Sequence, residues 1–200
     1  MTGRMTGRMK GAEMDANAES GPESGPETGP ETGPGNGPES GPETRPGNGP
    51  EMDAQIRAEK SAAAMWAQDR ASQWAGMAIT EMGEGRATLE LTVQPHHCNG
   101  HAICHGGVIF MLADSAFAFA CNSRNQVTVA QHNMISFIAP GRAGDRLTAR
   151  AREISLTGRS GIYDVSVTNQ DGTLIAEMRG MSRAIKGRLF AETEGEGDTP

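Results

Sequence analysis

The run His105-Gly-Gly-Val-Ile-Phe-Met-Leu-Ala-Asp-Ser-Ala-Phe-Ala-Phe-Ala-Cys121 decides the fold. Apart from Asp114 and Ser115 it is apolar on every side for about four turns of helix. A helix that is apolar all round is buried all round, so the rest of the domain has to be built around it.

The flanking sequence supplies the material. Upstream, Asp53 to Trp74 is rich in Ala, Gln, Arg, Glu, Lys and Met, all good helix formers, with a break near Asp69 to Ser72. Ile56, Ala63, Met65 and Trp66 are expected on its buried side. Met77 to Met82 and Arg86 to Val93 roughly alternate apolar and polar around Gly83 and Gly85, the pattern of a β-hairpin. Downstream, strand-like runs at Val127–Ile138, Asp145–Ser155, Ser160–Thr168 and Thr173–Ile185 are separated by turn signals at Pro140-Gly141, Gly158 and Gln170-Asp-Gly172. One buried helix among so many strands needs a sheet that curls around it. The expected class is α+β, a curved antiparallel sheet wrapped around one long central helix, the hotdog arrangement.

The ends of the chain read differently. Eight of the 11 prolines lie between Pro22 and Pro50, where Gly-Pro-Glu-Ser/Thr recurs, and Met-Thr-Gly-Arg is written twice at the start. Such a segment has almost no apolar surface with which to offset the entropy of ordering its backbone. Residues 1–52 are therefore expected to be a disordered tail, 53–188 the domain, and 189–200 a flexible acidic tail. Residues 1–51 carry 4 basic and 9 acidic side chains, so most of the net charge of −7 sits there. The nearly neutral remainder offers no basic face to nucleic acid. No apolar run approaches the ~20 residues that span a membrane. Three cysteines, an odd number, argue against a disulfide framework and for a reducing compartment, with the cytoplasm as the expected location.

Chemistry concentrates in Asn99-Gly-His-Ala-Ile-Cys-His-Gly106-Gly107 and in Asp114. Glycines at a helix start leave the first backbone N–H groups unobstructed, and the helix dipole adds positive character. That suits polarising a carbonyl; it equally suits close packing of a helix end. Asp114 alters the balance. A carboxylate among Phe110, Met111, Leu112, Ala113, Ala116 and Phe117 is costly unless it is paired or has a task. A half-buried Asp is suited to act as general base or nucleophile. Eight residues place Gly106 and Asp114 about 12 Å apart along a helix axis, too far for one carbonyl to meet both. Two copies of the helix, antiparallel across a two-fold axis, remove that gap and give two equal sites per dimer.

Asn99-Gly-His, Cys104-His-Gly-Gly, Leu112-Ala-Asp-Ser-Ala-Phe-Ala-Phe-Ala-Cys-Asn122, Pro140-Gly-Arg-Ala-Gly-Asp-Arg-Leu-Thr-Ala149 and Gly161-Ile-Tyr-Asp164 resemble PaaI-type thioesterases of phenylacetic acid degradation, over roughly Trp66 to Lys186. The resemblance implies a homotetramer, a dimer of dimers, that hydrolyses aryl- or phenylacetyl-type CoA thioesters without a metal or other cofactor. It assigns the catalytic carboxylate to Asp114, the backbone donor to Gly106, support at that end to His105, and placement of water or thioester to Asn99. A related branch has Glu and then Thr one turn later; here Asp114 and Ala118 stand there. Gly107 is a further expected contact with substrate. Arg142, Arg146, Arg159, Arg183, Lys186 and Arg188 are candidates for the CoA phosphates, with Arg159 first. His96, His97, Cys98, His101, Cys104 and His105 crowd one loop, but they lack the paired spacing of a zinc knuckle, and no metal is expected. Competing readings are a hydratase or dehydratase of acyl thioesters on the same fold, and a non-catalytic acyl-CoA-binding module.

Overall fold

The computed structural model describes residues 52–192; most of both expected tails, residues 1–51 and 193–200, lies outside them. Asp53 accepts from the N–H groups of Gln55 and Ile56 and starts α1, Ala54–Trp66. Asp69 accepts from Ser72 N–H and starts α2, Arg70–Trp74, so the expected break falls at a second N-cap. The buried side of α1 agrees with expectation in part: Met65 and Trp66 pack against the core. Ile56 is 48% exposed and Ala63 is exposed, while Ala58, Ser61 and Ala62 are buried. Their small side chains allow close approach, and the Ser61 hydroxyl accepts from Asn125 N–H at 3.1 Å.

The strands are β1 Met77–Gly83, β2 Arg86–Thr92, β3 Thr128–Phe137, β4 Arg146–Thr157, β5 Ser160–Thr168 and β6 Leu174–Ala184, and α3 is Gly106–Cys121. All pairings are antiparallel in the order β1-β2-β4-β5-β6-β3. Gly85, at φ +69°, makes the tight turn of the first hairpin. The chain then leaves β2, runs through α3 and returns as β3 at the far edge of the sheet.

Period-two alternation builds the core. Ala87, Leu89 and Leu91 of β2 stand opposite Ala151, Ala149 and Leu147 of β4, all buried. Tyr163, Val165 and Val167 continue that layer on β5. Ala113, Ala116 and Ala120 let α3 lie close to the sheet, with Leu112 and Phe117 filling the space between. Each fully buried Leu, Val or Phe stabilises the fold by roughly 1.5–3 kcal/mol. The Phe117 ring meets Tyr163 edge-on, and the Tyr163 hydroxyl donates to Glu153, which Arg124 grips with two hydrogen bonds.

α3 is not buried all round. Val108, Phe110, Met111, Asp114, Ser115 and Ala118 form a half-open flank. That flank runs beside β3, no residue of which is fully buried. Met134 is 63% and Phe137 53% exposed, so an apolar edge strand borders the half-open side of the helix. At the other end of the chain, Asn125 accepts from the N–H groups of Leu189 and Phe190, and Glu192 meets Arg57; the first residues of the expected C-terminal tail are thus bonded to the domain. No helix among the described residues is long and apolar enough to cross a membrane.

Candidate active site

The loop after β2 is organised by its own polar groups. Pro95–His97 form one 3₁₀ turn, and the buried His97 accepts from Gln94 N–H through Nδ1. Burial, and secondarily His96, hold His97 below the usual imidazole range. Cys98 then stands opposite Cys104 in an isolated antiparallel bridge. Its hydrogen bonds, Asn99 N–H to Ile103 C=O and His105 N–H to His97 C=O, flank the two cysteines rather than join them. Inside this small ribbon the Asn99 carboxamide accepts from His101 N–H, and Ala102 takes φ +56° to close the turn. Asn99 therefore shapes the loop that delivers His105 to the helix. Among the described residues, no three His, Cys, Asp or Glu side chains gather to hold a metal ion.

His105 is the N-cap of α3. Its Nδ1 accepts from Gly107 N–H at 2.9 Å, and its carbonyl accepts from Val108 and Ile109. A neutral imidazole accepting at Nδ1 carries its proton on Nε2. The two glycines are thus unequal. The expectation that both leave their donors open is corrected, because the cap commits Gly107 N–H to His105. Gly106 N–H has no partner among the described hydrogen bonds. It points out of a 16-residue helix at the positive end of the dipole. A Cβ added to Gly106 would lie 3.1 Å from the Phe137 ring, so glycine lets that aromatic ring rest against the helix start.

Two turns on, Asp114 is half-buried on the open flank. Burial pushes its pKa above the usual carboxylate range, and a hydrogen bond from Asn133 pulls it back. Asn133 Nδ2 donates to Asp114 Oδ1 at 2.5 Å. Beside it Ser115 exchanges a hydrogen bond with Ser72 of α2. Sequence reasoning missed Asn133, although a signal was available. Asn133, Ile135 and Phe137 alternate along one face of β3, so a lone amide stands on an apolar face.

β3 runs antiparallel to α3, with Phe137 at Gly106, Asn133 at Asp114 and Thr128 at Asn122. One chain therefore sets Gly106 and Asp114 at separate stations about 12 Å apart on the helix. Arg159 is not brought to either. It is exposed in the β4–β5 turn, and its Nε donates to Ala184 C=O, beside the far end of α3.

Both the sequence and the fold are matched by known proteins. Residues 101–176 match the thioesterase superfamily. The chain belongs to that superfamily as a PaaI-type hotdog protein, a thioester hydrolase. It is 41% identical over 136 residues to the acyl-coenzyme A thioesterase PaaI of Escherichia coli, covering 68% of this chain and 97% of that protein. The solved structure of E. coli PaaI superposes with a TM-score of 0.67 at 40% identity, over 68% of this chain and 99% of that one. A mutant of the phenylacetic acid degradation protein PaaI from Thermus thermophilus superposes with a TM-score of 0.57 at 33% identity, over 58% of this chain and all of that one.

Proposed function

We propose that this acyl-CoA thioesterase acts on aryl- and phenylacetyl-type thioesters, hydroxyphenylacetyl-CoA among them, releasing free acid and CoA in cytoplasmic phenylacetate catabolism. One observation carries the chemistry: Gly106 N–H is open at the helix start while the carboxylate of Asp114 waits on the same helix's half-open flank. The thioester carbonyl accepts from Gly106 N–H, which stabilises the negative charge that develops on oxygen. His105 holds that helix end in shape, and Gly107 flanks the approach. Asp114 either takes a proton from the attacking water or attacks the carbonyl carbon itself to form a mixed anhydride. Both courses expel CoA as thiolate, and in the second a water then hydrolyses the anhydride, releasing the acid and restoring Asp114. Asn99 shapes the loop beside the reacting group, and Arg159 meets a CoA phosphate.

Because the helix separates Gly106 from Asp114, each site combines Gly106 of one chain with Asp114 of a second. The apolar edge strand β3 and the half-open flank of α3 support that pairing, since both are surfaces a second copy would cover. Two such dimers make the tetramer. The phenyl ring of Phe137 against Gly106 supports an aryl acyl group, placing an aromatic surface where the thioester carbonyl docks.

The test is thiol release from phenylacetyl-, hydroxyphenylacetyl-, benzoyl- and straight-chain acyl-CoAs. The aryl esters should give the highest kcat/KM. Faster turnover of straight-chain esters would overturn the acyl preference, and no thiol release from any of them would overturn the reaction.

A further inference from the structure

We propose that Asn133 is a positioning residue for the active carboxylate, fixing Asp114 so that Oδ2 alone faces the reacting group. The proposal rests on the reading that Asp114 performs the chemistry. The two fully buried asparagines among the described residues, Asn122 and Asn125, allow a comparison. Asn122 uses both ends of its amide: Oδ1 accepts from Thr128 N–H, while Nδ2 donates to the carbonyls of Ala118 and Thr128. Asn125 does the same, accepting from Leu189 and Phe190 and donating to Phe190 C=O and Glu192. These two hold loops together. Asn133 is the exception. Its Nδ2 is committed to Asp114, and its Oδ1 is closed off from solvent with no hydrogen-bond partner among the described residues.

A buried acceptor left unpaired destabilises a fold, so what Asn133 contributes at this position is its one hydrogen bond, to Asp114. The surroundings accommodate it all the same. Asn133 pairs with Gly180 of β6, and a Cβ at Gly180 would lie 2.9 Å from Asn133 Oδ1. The glycine makes room for the amide in the one orientation that points its donor at Asp114.

The chemical consequence follows from what an amide can do. It donates but does not titrate, so it holds Oδ1 whether Asp114 is charged or neutral. A proton that Asp114 accepts must therefore reside on Oδ2, and Oδ2 is likewise the oxygen free to attack. The hydrogen bond also favours the charged form against the burial that disfavours it. Few other titratable groups bear on Asp114. Cys121, two turns along α3, is pushed up to about 12 by burial first, with the Asp114 charge adding to it. His132 on β3 and Arg179 on β6 belong to the exposed face, where Arg179 grips Asp164. From α2 the neighbouring contact is the Ser72 hydroxyl at Ser115.

The test uses the full chain with Asn133→Leu, Asp114→Asn and the double variant, measured by thiol release across pH on aryl-CoA esters. Asn133→Leu should lower kcat about tenfold or more with little change in KM, and should move the acid limb of the kcat/KM profile to higher pH. In the Asp114→Asn background, adding Asn133→Leu should change nothing further. Asn133→Ser, smaller and still polar, carries the same test if the leucine variant yields no folded protein. An unmoved acid limb, or an equal loss in both backgrounds, would overturn the positioning role. Full activity in Asp114→Asn alone would instead overturn the reading of Asp114.

Discussion

The proposal that each site is shared between two chains can be tested by damaging its two ends in different chains. Asp114→Asn keeps the side chain's volume and its acceptor for Asn133 but removes the base. His105→Ala removes the acceptor that holds Gly107 N–H and so loosens the helix start around Gly106. Losing an N-cap costs about 0.5–2 kcal/mol, well below the 5–15 kcal/mol of a typical domain, so the variant should remain folded. Each homodimer should be impaired strongly, by about 10²–10⁴-fold for loss of the base. Gly106 and Asp114 lie about 12 Å apart on one helix, so in a mixed dimer one site receives both lesions and the other receives neither. Random 1:1 assembly makes about half the dimers mixed, each with one intact site, and total activity should recover to about a quarter of wild type. Co-expression with two affinity tags, tandem purification and thiol release would measure it, and purified mixed dimers should reach about half. Mixed dimers that form but regain no activity would show that the site is built within one chain and would refute the argument from helix rise.

Asp114→Asn should also make the protein more stable at neutral pH. The folded pKa of Asp114 is raised by burial, so ionisation costs stability above that pKa, and the advantage of Asn should fade as pH falls through it. Thermal melting of both proteins across pH reads this, and an Asp114→Asn melting temperature below wild type at neutral pH would contradict it. Gly161→Ala should destabilise by about 1–3 kcal/mol in urea titration, because its Cβ would lie 2.7 Å from both the buried Tyr163 ring and Ser182 Oγ; a neutral substitution would mean that β5 shifts freely. Cys98 and Cys104 should cross-link under a small-molecule disulfide without unfolding, since a non-hydrogen-bonded antiparallel pair has Cα atoms about 4.5 Å apart, within disulfide reach. Cys98, the less buried of the two, should form the mixed disulfide first; Cys104, pushed up to about 11 chiefly by burial, should then attack it slowly and expel the small thiol, and peptide mapping that finds no such link would count against the ribbon geometry.

The central helix and its hairpins were legible because local pattern dictates them. A long apolar run must form a helix that finds cover, although one flank of α3 stays half-open, and Gly85 or Asp69 marks a boundary through its own backbone or capping chemistry. Strand order was not legible, since nothing in the composition of Val127–Ile138 says that it will cross to the far edge and pair with β6. The buried side of α1 was read correctly at Met65 and Trp66 but misjudged at Ile56 and Ala63, for a related reason. Side-chain size selected Ile56, but the partner across the interface is Asn125 N–H, which calls for the hydroxyl of Ser61. At the site, Asp114 and Gly106 announced themselves by being out of character with a buried helix. Asn133 needed the register of β3 against α3, a long-range fact, and the difference between Gly106 and Gly107 needed the direction of one imidazole.

The position of β3 bears on how the protein is made. It carries Asn133 and Phe137, yet among the described residues its only neighbour in the sheet is β6, the last of the described strands in chain order. Until β6 emerges, β3 has two unpaired edges and an apolar face, a state that invites association with other chains. Closing the sheet requires contacts between segments distant in sequence, which slows folding. The same event docks Asn133 onto Asp114 and Phe137 onto Gly106. On the proposed reading of the site, a chain arrested before that point has the helix, Asp114 and β3 itself, but lacks the strand that holds β3 against them.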